Sequence, residues 1–263
     1  MGEKNKKKTK GKRFTWINLL QIFTLIALLI YMQYAVDSGK VLKVFLASPT
    51  SIIEEGIYMI REGILWPHLA LTLQEVLVGY LLAALVGITV GLLWTLFPVV
   101  EDYMNVFCAA IMAVPKTAIL PLLILWFGIG FKSKVVLIFL FSVFQILYNT
   151  VTGAKQCKVE YLKVARVFQA SRFQTVFKVI IPAALPSIFN GLRLAAATAL
   201  TGVVFSEMQS AKAGLGYLLS EAQNLLNTPE MFFVILLVTL ISVLIVKLVA
   251  AVEYALCHKW RRV

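Results

Sequence analysis

The side chains that could make or break bonds are few and scattered. The two histidines, His68 and His258, lie far apart in the chain, and Cys108, Cys157 and Cys257 have neither metal-ligand spacing nor an evident pairing, so they read as inert thiols. No G-x-x-x-x-G-K-[ST] loop is present to cradle a nucleotide's phosphates. What remains is charge placed where charge is costly. Lys116, between the two prolines of VPKTAILP, and Arg193 both interrupt long apolar runs. A cation at the centre of a bilayer costs roughly 2.5 to 3.5 kcal/mol on insertion scales. Lys116 must therefore face a cavity or snorkel to an interface. Arg193, about 10 Å into its run at 1.5 Å per residue, either bonds backbone carbonyls near the interface or lines a solute path. With Asn190, these two form the candidate translocation path, and Glu207 at the end of the same run reads as a surface carboxylate.

The elements that must carry these residues are membrane spans. The 263 residues are 60% hydrophobic and only 14% charged, whereas soluble domains carry about a quarter charged residues. Six apolar runs, near 16–36, 69–98, 104–128, 134–152, 186–206 and 231–251, are long enough for a hydrocarbon layer roughly 30 Å thick. The net charge of +12 lies in the segments flanking these runs rather than among aromatics on a soluble face, which argues against nucleic acid and for topology. With the N-terminus inside, the inner segments carry 16 Lys/Arg and the outer ones 6, leaving Lys116, Arg193 and Lys247 within spans. The first run is too long for a signal-peptide core and reads as a retained anchor. SPTSIIEEGIYMIREG predicts a short helix on the outer face, with Glu54 and Glu55 in its first turn.

Small residues stripe two spans. Gly79, Ala83, Gly87 and Gly91 recur every four residues, and Gly191, Ala195 and Ala199 do the same. Such stripes admit a close backbone neighbour, which is either another helix of this chain, a dimer partner or the wall of a path. The third run is broken by Pro115 and Pro121.

Between the fourth and fifth runs lies a basic, half-apolar segment, 153–185. Tyr161, Val164, Ala165 and Phe168 follow a single-face helical period, as do Phe173, Val176, Phe177 and Ile180. Ser171 and Gln174 have capping-box spacing. Two short amphipathic helices meeting near Gln169 to Ser171 follow. They either lie on lipid, with Lys158, Lys163, Arg166, Arg172 and Lys178 at the phosphates, or dock into a groove of a cytoplasmic partner.

From Ala165 to Pro182 the segment resembles the EAA loop of ABC importer permeases, EAA-x3-G-x9-I-x-L-P, with Val179 and Ile181 as aliphatic equivalents and Pro182 retained. AALPSIFNGLRLA, ILPLLILWFGIGFKSK and GLGYLLSEAQ are similar to the nitrate, sulfonate, taurine and bicarbonate branch of that family, over residues 45–255. The resemblance implies an all-α polytopic membrane protein of six transmembrane helices with a cytoplasmic coupling-helix loop, like type I ABC importer permeases. It implies a basic tail 1–15, a first helix and outer segment 16–44, a permease domain 45–255 with its EAA-like loop at 155–185, and a basic tail 256–263. Both tails would be cytoplasmic in a cell membrane. The chain would be no enzyme and bind no cofactor. ATP and Mg would sit on a separate cytoplasmic ABC ATPase, an extracellular or lipid-anchored binding protein would deliver the solute, and two permeases would pair as a homodimer or heterodimer. Lys163, Val164, Ala165, Gln169, Ala170, Ser171 and Arg172 would carry the coupling, with proline breaks letting spans three and five respond. Lys163 stands where the family has glutamate, and Gln169 where it has glycine. The solute would be a sulfonate-, taurine- or nitrate-like anion, or a thiamine-precursor or riboflavin-like compound. The rival reading, a secondary transporter or channel working alone, calls for inverted repeats and several intramembrane acids, and the sequence is read as having neither.

Overall fold

Residues 3–257 are described by the computed structural model, with side chains from Trp16 to Leu256, and every regular element among them is helical. His258 and the rest of the basic tail at 258–263 lie outside the described residues. Five helices are long and apolar enough to cross a membrane, or six counting one bent pair as a span.

One compact unit comprises residues 1–63 and 221–234. Its first helix, α1 (Glu3–Asp37), is membrane-compatible over Trp16–Asp37. The second, α2 (Pro49–Arg61), starts at a proline whose missing N–H costs nothing at that position, and the Ser48 hydroxyl accepts from the Ser51 N–H at 3.3 Å. This start puts Glu54 and Glu55 in the second turn rather than the first. Glu55 is instead engaged by the Asn227 side-chain amide, which donates to it at 3.4 Å. Gln33 of α1 donates to the Thr50 hydroxyl at 3.1 Å, and the Thr228 hydroxyl donates to the Val44 carbonyl at 2.7 Å.

The other unit comprises residues 64–220 and 235–263. It contains α3 (Leu65–Leu96), α4 (Pro98–Ala113), α5 (Lys116–Phe127), α6 (Phe131–Lys155), α7 (Val159–Val167), α8 (Arg172–Thr175), a π-helical turn (Val176–Ile180) and α9 (Ile181–Ser210). Helices α10 (Leu215–Asn224) and α11 (Thr228–Cys257) each have part of their length in this unit. Its core is built on α6, which packs along both α3 and α9. The small-residue stripes make this possible. A Cβ on Gly79 would stand 2.7 Å from the Ile138 Cβ, and one on Gly191 would stand 2.6 Å from the Asn149 Cβ, so both positions need a bare backbone. Ala83, Ala195 and Ala199 have no exposed surface. The stripes are thus filled from within the chain, which decides among the alternatives left open by spacing alone.

The third span is a corner. Helices α4 and α5 meet at 93° across Val114 and Pro115, whereas Pro121 stays inside α5. At 1.5 Å per residue they are about 24 and 18 Å long, so neither crosses a bilayer core alone.

The fifth span differs more. The segment expected to form a second short helix is the beginning of one continuous 39-residue helical stretch, Arg172–Ser210. At about 58 Å it is nearly twice the thickness of the hydrocarbon layer. Its prolines do not break it. Pro182 would press on the carbonyl four residues before it, and the wider π turn, closed by the Ile181 N–H on the Val176 carbonyl, ends just ahead of that ring. Motion at α5 and α9 therefore cannot rest on a proline break in α9.

Candidate coupling site

Helix α7 ends in a left-handed turn that the sequence foreshadows at Gln169. Gln169 has φ +49°, its N–H donates to the Arg166 carbonyl at 2.9 Å, and the Ala170 N–H donates to the Ala165 carbonyl at 3.0 Å. These two bonds define a Schellman cap, whose left-handed position is ordinarily glycine. A glutamine there carries the Cβ penalty, roughly 1 to 2 kcal/mol for this region. The chain restarts at once: the Ser171 hydroxyl accepts from the Gln174 N–H at 3.2 Å, while the Gln174 side chain accepts from the Ser171 N–H at 2.9 Å. The capping box expected from spacing is present, and with the Schellman cap it pins both sides of a three-residue corner.

The corner sorts the apolar residues differently from a single helical stripe. Ala165, Val176 and Ile180 are buried, with Val176 and Ile180 packed among Ala154, Cys157, Ala184 and Ile188. The π turn explains the split: its larger period puts Val176 and Ile180 on one face and turns Phe173 and Phe177 away. Val164, Val167, Phe168, Phe173 and Phe177 are left exposed, Val167 and Phe168 at 80% each. Lys163, Arg166, Arg172 and Lys178 are exposed around them. Among the candidate coupling residues, Lys163, Val164, Gln169, Ser171 and Arg172 are on the surface, Ala170 is half-buried, and Ala165 is an inward-facing packing residue. Burial pushes the Cys157 thiol up and away from the reactive thiolate form. Phe168, Phe173 and Phe177 dominate the exposed surface, and an i, i+4 aromatic pair beside a turn was the available signal for them.

The candidate path residues do not converge. Asn190 donates to the Asn149 side-chain oxygen at 3.1 Å, Arg193 pairs with Glu253 of α11 at 3.3 Å, and the Lys116 ammonium lies 5.3 Å from the centre of the Phe141 ring. An apolar cavity of about 570 Å³ lies among α3, α9 and α11, bordered by Val76, Tyr80, Leu192 and Ile245, and none of the three lines it.

A second polar cluster, largely unforeseen, sits at the far ends of α6 and α9 from this corner. Lys134 Nζ donates to Glu75 Oε1 at 2.8 Å, with both side chains buried. Lys134, counted in sequence among the outer charges, is therefore internal. Glu207 is wholly buried rather than on the surface: its Oε1 accepts from the Thr72 hydroxyl and its Oε2 from the Gly216 N–H, each at 2.7 Å. Thr72 in turn accepts from the Leu215 N–H at 2.9 Å, and His68 Nδ1 accepts from the Gly214 N–H at 3.0 Å. Among the described residues, Glu75 and Glu207 are thus buried acids within candidate spans, besides the Glu253 that pairs with Arg193. A carboxylate within the apolar run at Glu75 was the signal that could have found the first.

Residues 83–262 match the family described as the binding-protein-dependent transport system inner membrane component. The chain is 32% identical to a putative aliphatic sulfonates transport permease of Bacillus subtilis, over 97% of this chain and 92% of that protein. It is 33% identical to a riboflavin transport system permease of Chloroflexus aurantiacus, over 92% and 90% of the two chains. A taurine transport system permease of Escherichia coli is 31% identical over 86% and 84%. In fold it is similar to a chain of the MetNI methionine ABC transporter in an inward-facing conformation, with a TM-score of 0.61 over 70% of this chain and 92% of that one at 20% identity. Intramembrane acids notwithstanding, this chain belongs to the family of inner-membrane components of binding-protein-dependent transport systems, and is the multi-pass permease subunit of an ABC importer.

Proposed function

We propose that the corner at Val167–Phe173 is where a cytoplasmic ATPase subunit grips this permease, and that ATP and Mg act on that subunit alone. The supporting observation is the exposed apolar group Val164, Val167, Phe168, Phe173 and Phe177 within a ring of Lys and Arg. Aromatic anchors in a charged rim are the composition of a docking surface. Its rigid caps suit it to transmit force, and its second arm continues into the 39-residue stretch of α9. Displacement of the corner then moves a span directly rather than through a loop. Lys163, replacing the family's glutamate, calls for an acidic counterpart on the ATPase. In this reading the corner and both termini are cytoplasmic, two permeases pair, and an extracellular or lipid-anchored binding protein delivers the solute.

The solute falls in the range spanned by the relatives' names: sulfonates and taurine, nitrate, or riboflavin-like and thiamine-precursor compounds. The pairing of Arg193 with Glu253 cancels one of the two intramembrane cations that favoured an anion, so the choice within the range rests with the binding protein. The test is co-purification of the full chain with its ATPase. Phe168→Asp combined with Phe173→Asp abolishes recovery of the ATPase while the permease remains monodisperse; undiminished recovery refutes the docking site.

A further inference from the structure

The Glu75–Lys134–Glu207 cluster has one more acid than base. Glu75 Oε1 is taken by Lys134, but Oε2 has no N–H or O–H donor although the residue is completely buried. One turn before Glu75 on α3, the Thr72 hydroxyl bonds the Glu207 carboxyl at 2.7 Å, which brings that carboxyl to the same side of the helix as Glu75. Two carboxylates are both acceptors, so as anions they leave that oxygen orphaned and face each other in a buried cluster. A buried polar atom without a partner points to something that supplies one.

We propose that Glu75 and Glu207 share a single buried proton, held on the Glu207 carboxyl, and that this proton site latches the loop 211–214 and the first residues of α10 to the helix bundle. Glu75 keeps the charge because Lys134 is bound to it at 2.8 Å. The Glu207 hydroxyl, still accepting from Thr72, donates to Glu75 Oε2, so every polar atom of the cluster is satisfied and its net charge is zero. Protonating an ordinary glutamate at neutral pH is disfavoured about 500-fold. Like-charge contact at an effective dielectric constant near 20 is disfavoured about 1,000-fold; the Lys134 charge and the Thr72 and Gly216 donors offset part of this, and burying a second anion in the cluster adds to it. The proton is therefore retained. Three consecutive amides at the end of the loop and the start of α10 are held here: Gly214 by His68, Leu215 by Thr72 and Gly216 by Glu207. The charged groups packed around Glu207 are Glu75 of α3 and Lys134 of α6; His68 of α3 accepts from the Gly214 N–H through Nδ1 and stacks on Tyr217 of α10 with ring centroids 5.7 Å apart. On deprotonation the proton leaves to water, the two anions repel, and the Gly216 and Leu215 anchors are lost together.

The full chain in lipid nanodiscs provides the test, read by hydrogen exchange of peptides covering Gly214–Gly216 and corrected for intrinsic rates. Wild-type protection is present at neutral pH and falls by about tenfold per pH unit above the ordinary glutamate range, because the latched state keeps a proton that the opened, water-exposed Glu207 releases. Glu207→Gln, whose amide oxygen keeps the Gly216 bond and whose NH2 stands in for the proton at the cost of the bond accepted from Thr72, has weaker protection that no longer changes with pH across that range; Glu207→Ala lacks it throughout. Infrared spectroscopy of the wild type alone gives a second readout, a protonated-carboxyl stretch at neutral pH that titrates away in the alkaline range. The proposal is overturned by absence of that band at neutral pH, by wild-type protection that does not change with pH, by protection in Glu207→Gln that still falls with pH as in the wild type, or by protection that follows sodium or potassium at fixed pH.

Discussion

Replacing Lys134 by Met separates the internal reading of this residue from the external one. Its ammonium is the counter-charge at 2.8 Å from Glu75, with side-chain exposures of 4% and 1%. Removing one partner of a buried ion pair leaves the other uncompensated and costs about 3 to 5 kcal/mol. A lysine in a wet outer segment would cost no more than about 0.5 kcal/mol. For a chain of this size each kcal/mol moves thermal unfolding by about 2 to 4 °C, so Lys134→Met lowers the transition by roughly 6 to 20 °C. Glu75→Gln in the same chain removes the stranded charge. Because replacing both members of a buried pair is often nearly neutral, the double variant recovers most of the loss, and the non-additivity is itself the measure of the contact. The assay is fluorescence-detected size-exclusion chromatography after a heating series, run on wild type, both single variants and the double. A Lys134→Met transition within about 2 to 4 °C of wild type, equivalent to about 1 kcal/mol, refutes the buried pair, as does a double variant no more stable than Lys134→Met.

Gln169→Gly relieves the left-handed cap and raises stability by about 1 kcal/mol, seen as a higher unfolding temperature; a lower one would mean that the Gln169 side chain holds the corner. Ser171→Ala removes one half of the capping box and costs about 1 kcal/mol, read by faster exchange of the Gln174 amide. Gly191→Val drives side-chain atoms into Asn149 at the α6–α9 contact and costs at least about 1 to 3 kcal/mol, visible as loss of the monodisperse peak in detergent.

Particular residues mark where sequence reasoning reaches its limit. The capping box was readable because Ser171 and Gln174 bond only to each other's backbone, so spacing suffices. Gln169 was likewise legible as a position asking for positive φ, through the family's glycine. The amphipathic stripe from Phe173 to Ile180 was misjudged because it assumed 3.6 residues per turn, and the π turn beside Pro182 altered the period locally. Glu207 and Lys134 were taken for surface charges because each stands near the end of an apolar run. Their burial depends on α3 bringing Thr72 and Glu75 alongside, more than 50 residues away in sequence from either.

Hydropathy, charge asymmetry and the EAA-like spacing by themselves determined that this is a helical membrane protein of the importer-permease kind, because each depends on the residues of one run or one turn meeting lipid, water or their own backbone. The tertiary structure alone decided that the glycine stripes are filled by α6, that the third span is a corner, that the basic segment continues as one rod with the fifth span, and that two acids and a lysine close over one another. Those outcomes are set by which helices come together, and no local pattern contains the distance between a side chain and a partner contributed by another helix.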